Sequence, residues 1–346
     1  MGGFDGGVPA AESPPLVSML LIAYEQQHRI GRAIAAALAQ TWSPLEIVIS
    51  DDASTDGTFS AMQTAVAGYA GPHRVVLNRN PKNLGIGAHL SHVAGLANGE
   101  LLVVAAGDDV SLPRRCEVIA RAWLAHDRRP DLIASALVDM DDAGGLHKTI
   151  VPSDLQRYRT LADWLADPPF VVGAAQAWTR RLFERFGPMP EGVVAEDLIM
   201  VFRAIASSDL IGSAVASGGA ITLPEPLVGY GRGGVSRRVR NLRAQDVTDR
   251  VLKNNRHALV EQEQLLRDAT TAGRLAEVRG PLEAILRRER FIRDVFAARG
   301  TGRCIAVARR AHGVALGLRL RMFLYAAAPA VYAPFFFVKR LFARPA

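Results

Sequence analysis

The feature that most limits what this chain can fold into is a recurrence. An unbroken apolar run is closed by polar or acidic residues and followed by a stretch of helical period. Residues 16–23 (LVSMLLIA) lead into Tyr24-Glu25, residues 46–50 into Asp51-Asp52, and residues 100–105 (ELLVVA) towards Gly107-Asp108-Asp109. Runs without polar alternation suit strands buried on both faces, as in a parallel sheet. Residues 73–77 (HRVVL) read as a further strand, and residues 28–40, 58–69 and 87–97 as the intervening helices. Strands alternating with helices predict an α/β fold, a Rossmann-like, mainly parallel sheet flanked by helices. Ligands of such sheets sit beyond the carboxyl ends of the strands. Tyr24, Asp51/Asp52 and Asp108/Asp109 are therefore expected along one rim, where paired acids serve a ligand better than they serve the fold.

Further along, residues 160–166 read as a short helix, 170–177 as extended, and 196–207 as a helix with Leu198, Ile199, Val201, Phe202 and Ile205 on its apolar side. A strand near 220–223 leads to Tyr230-Gly231-Arg232-Gly233-Gly234. With 49% apolar residues in 346, a sizeable core is available and bulk disorder is excluded. Residues 1–15, rich in Gly, Pro and Ala, read as a flexible leader lacking the basic start and apolar centre of a signal peptide. Two cysteines, Cys116 and Cys304, are too few for a disulfide framework or a zinc site and favour a reducing, cytoplasmic setting.

Each motif has two readings. The Asp51-Asp52 and Asp108-Asp109 pairs could share a hard divalent cation through their oxygens, or cap turns and helices. Two such pairs on one rim favour the ligand. Asn83-Leu84-Gly85 precedes a helix and could bring backbone close to phosphate, although no GxGxxG or Walker loop follows the first strand. His89 and His92, three residues apart, suit a surface or half-buried pair better than a metal site. Glu196-Asp197 opens a helix, where acids favour the dipole by ~0.3–1 kcal/mol or reach a cleft as a general base.

Taken in order, these stretches resemble the family 2 inverting glycosyltransferases of the A-type nucleotide-sugar fold (GT-A). The family's signature appears as VSMLLIAYE, DDASTDGT, Asn83-Leu84-Gly85, Ala97-Asn98-Gly99-Glu100, Gly107-Asp108-Asp109 and Glu196-Asp197, over residues 16 to about 235. The resemblance implies a nucleotide-sugar site with Ala23, Tyr24, Glu25, Asn83 and Gly85 around it. Tyr24 would pack by the base and Asp52 would accept a hydrogen bond from it. Asp108 would lie near the ribose, Asp109 would hold Mn²⁺ or Mg²⁺ against the diphosphate, and Asp197 would be the catalytic base. Arg232 could bind the donor diphosphate or an acceptor phosphate, or YGRGGVS could be a Gly-rich exit turn. Arg180 and Arg181 fall where relatives shape the acceptor side. Ala106 stands where many members carry the first Asp of DxD, Glu25 replaces an Asn, Ile22 a Pro, and Ser91 and Val93 an Asn and a Gly. The Gln-x-x-Arg-Trp motif and membrane spans of the processive relatives are not found, which implies a non-processive, hexosyltransferase-type enzyme.

Charge divides the chain. Residues 1–235 hold 18 Lys/Arg and 25 Asp/Glu, whereas residues 236–346 hold 23 and 9. The expected organisation is a flexible leader (1–15), a catalytic domain (16–235) and a basic, mainly helical C-terminal region (236–346). Within the latter, residues 322–338 form an uncharged run of 17, flanked by Arg319, Arg321, Lys339 and Arg340 and interrupted by Pro329 and Pro334. A spanning helix needs ~20 apolar residues. A membrane-interfacial segment near 319–342, a packed extension and a true span are the readings, with the first fitting best. No nucleic-acid recognition module is apparent.

These features predict a metal-dependent inverting transferase that uses a UDP- or dTDP-sugar and a lipid-linked or polysaccharide acceptor. It would work peripherally at the cytoplasmic face of a bacterial inner membrane, in surface-glycan synthesis. A sugar-nucleotide pyrophosphorylase is the enzymatic alternative, but residues 22–31 (IAYEQQHRIG) lack its Gly-rich basic loop. A membrane-associated nucleotide- or glycan-binding scaffold is the non-catalytic one.

Overall fold

The computed structural model describes residues 13–211, 214–231, 244–298 and 300–327. Most of the leader, Arg232 and residues 328–346 lie outside the described residues.

The predicted alternation is present. β1 (Val17–Ala23), α1 (Ile30–Leu38), β2 (Leu45–Asp51), α2 (Thr58–Val66), β3 (Arg74–Arg79), α3 (Ile86–Leu96) and β4 (Leu101–Ala106) follow in turn. Next come β5 (Val110–Ser111), α4 (Arg115–Ala125), β6 (Leu132–Met140), β7 (Leu146–Ile150), α5 (Leu161–Ala166), β8 (Gln176–Thr179), α6 (Arg180–Phe186) and α7 (Glu196–Ala206). A ribbon of β9 (Asp209–Ile211) and β10 (Ala214–Ser217) precedes β11 (Ala220–Gly231). Four helices complete the described chain: α8 (Ala244–Thr271), α9 (Leu275–Ala297), α10 (Thr301–Arg310) and α11 (Leu316–Ala327).

One nine-stranded sheet runs β3-β2-β1-β4-β8-β6-β11-β5, with β7 beside β6. β1, β2, β3 and β4 are parallel neighbours, as are β6 and β11, while β8 runs antiparallel between β4 and β6. Ala23 pairs with Asp51 and Ile22 with Ala106, so β1, β2 and β4 end level with one another. Alternate residues of these strands feed two cores. Met19, Leu21, Ile47, Ile49 and Val103 pack under Ile30 and Ile34 of α1, Met62 of α2, and Ile119 and Trp123 of α4. Leu20, Ile22, Val48 and Val104 pack under Leu90 and Val93 of α3 and Ile199, Phe202 and Ile205 of α7. This double burial is why the runs show no polar alternation.

Two expectations are corrected. Residues 170–177 are not extended throughout: a 3₁₀ turn over Gly173–Ala175 precedes β8. Its backbone is committed sideways, with the Ala174 carbonyl accepting from Arg115. The strand expected at 220–223 continues to Gly231. Pro224 and Pro226 have no amide hydrogen, so the ladder to β6 shifts register on either side of Pro226 and then resumes.

The C-terminal helices share the core. Leu265 and Ala269 of α8 and Val278 and Leu282 of α9 join the cluster that contains Phe202 and Ile205 of α7. Phe291, Ile292 and Val295 of α9 make a further cluster with Cys304 and Met322. Both cysteines are buried and unpaired. Among the described residues, no helix is long and apolar enough to cross a membrane.

Candidate active site

Asp51 and Asp52 terminate β2 and do different work. Asp51 is fully buried, accepts from the Ser54 amide and pairs with Arg79 at 3.1 Å. Asp52 is buried and accepts three N–H bonds: from Asn80 Nδ2 (2.8 Å) and the Leu84 amide (2.9 Å) on Oδ1, and from the Gly85 amide (3.0 Å) on Oδ2. Asn83 Oδ1 also accepts from the Gly85 amide (2.9 Å). Gly85 has φ 78°, a backbone conformation that a side chain at this position would strain. The Asn83-Leu84-Gly85 turn is thus wound around Asp52, and leads directly into α3. His89 on that helix is buried, with Nε2 2.8 Å from Ser50 Oγ and Nδ1 3.9 Å from Asp52 Oδ2. Burial, opposed by the Asp52 charge, drives it down to about 4, so it is neutral. His92 is exposed, and the two histidines form no shared site.

The β1 exit faces the same loop. The Ala23 carbonyl accepts from the Asp52 amide (3.0 Å), and the Tyr24 ring beyond it is 45% exposed. Glu25 has φ 56° and Ala53 φ 60°, so both crossing points are held in the left-handed region by their surroundings. Glu25 Oε1 accepts from the Thr55 amide (3.0 Å) and hydroxyl (2.9 Å), tying one loop to the other.

Asp108 and Asp109 follow β4 and have far fewer donors. Both are buried. The Gly231 amide donates to Asp109 Oδ1 at 2.7 Å. A Cβ at residue 231 would lie 2.3 Å from the Asp108 carbonyl oxygen, so only glycine lets β11 come this close. Burial, and next the Asp108 charge, push Asp109 up to about 7. Burial also raises Asp108, against the weaker pull of Arg29. The nearest buried cation is Arg115, which spends its hydrogen bonds on Ser111 Oγ and the carbonyls of Val104 and Ala174.

Glu196 and Asp197 open α7. Glu196 is buried and Asp197 half-buried. Asp197 accepts from the Leu198 amide (2.8 Å) and from the Gly173 amide. Burial is the main cause lifting both acids, with Glu261 on α8 adding to the rise, and the pair titrates with apparent values of about 6 and about 8.

Hydrogen bonds join these three acid pairs around one rim. Asp52 holds Gly85, and the Gly87 amide reaches the Val193 carbonyl just before α7. Asp197 meets Gly173, Ala174 meets Arg115, Asp109 meets Gly231, and the Gly107 amide returns to the Ile22 carbonyl beside Ala23. Ala23, Tyr24, Glu25, Asp52, Asp108 and Asp109 stand at or just beyond the level carboxyl ends of β1, β2 and β4, Asn83 and Gly85 form the turn held by Asp52, and Asp197 opens α7 beside the Gly173 turn. Arg232 follows Gly231 in sequence and lies outside the described residues.

Other motif residues are structural. Asn98 donates to buried Glu46, whose carboxylate also takes the Ser18 hydroxyl, and the Gly99 amide donates to Ser18. This knot lies at the start of β4, at the opposite end of the sheet. Arg180 donates to the Ala97 and Gly99 carbonyls and Arg181 pairs with Asp131. Sequence reasoning missed Arg115 and the polar face of α8 (His257, Glu261, Gln264, Asp268). The 4-3-4 spacing of that face, where an apolar stripe belongs, was the available signal.

Among the described residues, no three His, Cys, Asp or Glu side chains are grouped to hold a metal. Asp108 and Asp109 nonetheless fit a looser mode, in which one or two carboxylates and substrate phosphates share Mg²⁺ or Mn²⁺. They are buried, raised, and short of cationic neighbours.

Comparison with known proteins agrees with this architecture. Residues 18–185 match the family model for glycosyl transferase family 2. EpsE of Bacillus subtilis is 31% identical over 141 residues, 41% of this chain and 50% of EpsE, so the match spans about half of that relative. The mannosyltransferase PcManGT from Pyrobaculum calidifontis, solved with GDP-Man and Mn²⁺, superposes with a TM-score of 0.50 at 20% identity over 94% of this chain and 88% of its own. TarS of S. aureus (residues 1–349), solved with UDP-GlcNAc, gives 0.50 at 15% identity over 94% and 91%. Those two likenesses concern the fold, which is GT-A. The likeness to glycosyl transferase family 2 thus rests on residues 18–185, slightly less than half of the chain.

Proposed function

We propose that the protein is a metal-dependent, inverting, non-processive glycosyltransferase. It moves a hexosyl group from a UDP- or dTDP-sugar to a hydroxyl of a lipid-linked or polysaccharide acceptor in bacterial surface-glycan synthesis. The observation that supports this reading is that β1, β2 and β4 end level with one another, with Asp52 and Asp109 just beyond two of those ends, while Asp197 opens α7 beside the Gly173 turn.

Each residue has a task that its surroundings permit. Asp52, already oriented by three N–H donors, keeps acceptor capacity on Oδ2 for a base N–H. The exposed Tyr24 ring offers a face for the base. Asp108 would face the ribose, and Asp109 with Asp108 would hold Mg²⁺ or Mn²⁺. When bound, that ion supplies charge neutralisation for the departing diphosphate. Asp197 accepts the acceptor hydroxyl proton, a contribution typically of ~10²–10⁴ in rate. With one base and no protein nucleophile in the scheme, displacement is single and the anomeric centre inverts. Peripheral membrane contact is supported by α10 and α11, which expose Ile305, Leu316 and Leu320 beside Arg309 and Arg319, in a chain with no acid after Asp294.

A thermal-shift screen of nucleoside diphosphates with and without Mn²⁺ tests the reading. UDP or dTDP is expected to stabilise the protein with Mn²⁺ and not without it. A response to adenine dinucleotides, with none to uridine or deoxythymidine diphosphates, overturns it.

A further inference from the structure

The helix α7 begins without a cap of its own. Ala195 at its N-cap offers no side-chain acceptor, and the acids of the first turn, Glu196 and Asp197, repel one another. The missing acceptor comes from α8, 66 positions further along from Ala195. Glu261 Oε1 accepts from the Val194 amide at 3.0 Å and from the Ala195 amide at 2.9 Å. One turn earlier, His257 Nδ1 lies 2.7 Å from the Gly192 carbonyl. Two turns later, the buried Asp268 grips Arg203 of α7 with both oxygens, at 2.8 and 3.2 Å. A single face of α8 therefore holds the approach to α7 and its body.

We infer that Glu261 is a positioning residue for Asp197: it accepts from the two amides just before α7, fixes the turn that presents this carboxylate, and sets its own negative charge close by. The inference rests on the role given to Asp197 above. A carboxylate too acidic is a poor base, and one tuned towards the working pH is a better one. Burial supplies most of the tuning, and Glu261 supplies a part that substitution can remove. Among the described residues, the charged groups that act on Asp197 are Glu196 on its own helix and Glu261 on α8. His257 is engaged with Gly192, and Lys82 from the turn before α3 pairs with Glu191 at 2.6 Å. A side chain in direct contact with substrate is not required of Glu261, because it acts through the backbone of Val194 and Ala195 and through its charge.

Two readouts separate this inference from the function on which it rests. The first needs no substrate: carboxyl ¹³C resonances of the labelled full-length protein are followed against pH, and the Asp197 signal is identified by its loss in Asp197→Asn. In Glu261→Gln, which keeps one acceptor oxygen for the two amides and removes the charge, the Asp197 midpoint is expected to fall by roughly half to one pH unit. In Glu261→Asp, which keeps the charge on a shorter arm, it returns towards the wild-type value. An unmoved midpoint in Glu261→Gln overturns the inference. The second readout is the pH profile of UDP-GlcNAc and GDP-mannose hydrolysis with Mn²⁺. An acid limb that moves down with the midpoint supports both the inference and the base assignment. A midpoint that moves while the limb stays overturns the base assignment and supports the charge coupling. Should Glu261→Gln melt several degrees low, Glu261→Asp carries the test: a midpoint held near the wild-type value supports the charge effect, and one that falls overturns it.

Discussion

The Asp51-Asp52 and Asp108-Asp109 pairs occupy the same kind of place, the carboxyl end of a buried parallel strand, yet their surroundings are opposite. Asp52 collects three N–H donors and Asp51 has Arg79 and the Ser54 amide. Asp109 has the Gly231 amide, a neighbouring acid and an arginine committed elsewhere, and its carboxyl is raised to about 7. The first pair is already offset by donors and builds a loop, with acceptor capacity left on Asp52 Oδ2. The second is buried with few donors, and gains most from an added cation. The difference teaches that acidic residues at a sheet rim are not one class: the donors around each one separate architecture from ligand chemistry.

The largest expected effect would break that contrast from the ligand side. Asp109→Asn should weaken Mn²⁺-dependent nucleotide binding at least ~100-fold by titration calorimetry, in keeping with loss of a direct metal ligand. If affinity changes by less than threefold, Asp109 is not the ligand side of the comparison. Next in size is stability, with opposite signs for the two sites. Asp52→Asn keeps one oxygen for Asn80 and Leu84, turns an NH2 towards the Gly85 amide, removes the charge, and should cost about 3 kcal/mol in urea melts. Asp109→Asn keeps an oxygen for the Gly231 amide and removes a buried charge, so the metal-free protein at pH 8 should melt a few degrees higher. Equal destabilisation by both substitutions would erase the distinction.

A third test uses pH. Raised above its unfolded value, Asp109 keeps a proton in the native state between about pH 4 and 7 that the unfolded chain has released. Metal-free stability therefore falls as pH rises through this window, by up to about 4 kcal/mol from this group. Asp109→Asn should flatten the slope in urea melts between pH 5 and 8, and an unchanged slope would assign it to other groups. The smallest effect belongs to the first pair. Arg79 is half-exposed, and Arg79→Ala should cost about 1 kcal/mol or less and leave nucleotide affinity within twofold. A larger loss of affinity would show that the Asp51 side also touches ligand.

Much of this was legible beforehand, for stated reasons. β1, β2 and β4 are double-faced strands, and continuous apolar runs report that condition directly. The acids that end them could be placed on one rim without knowing their partners. What could not be read was which acids are satisfied, because Asn80, Gly231 and Gly173 reach them from distant parts of the chain. The Gly173 turn reads as extended chain in the sequence because its contacts to Asp197 and Arg115 come from distant segments. β11 past Leu223 was hidden by Pro224 and Pro226, which interrupt its ladder without ending it. The buried polar face of α8 carried a visible spacing but no hint that α7 was its counterpart.

The Arg203–Asp268 pair sets a limit on how the molecule can be shortened. Arg203 has no exposure, and it is the carboxylate of the C-terminal region that offsets its charge. A version ending near residue 235, where the acidic and basic halves of the sequence meet, would strand a guanidinium in oil and uncap the helix that bears Asp197. Helix α8 is thus part of the support of α7, and any trimmed version meant to keep that helix in place has to extend through it.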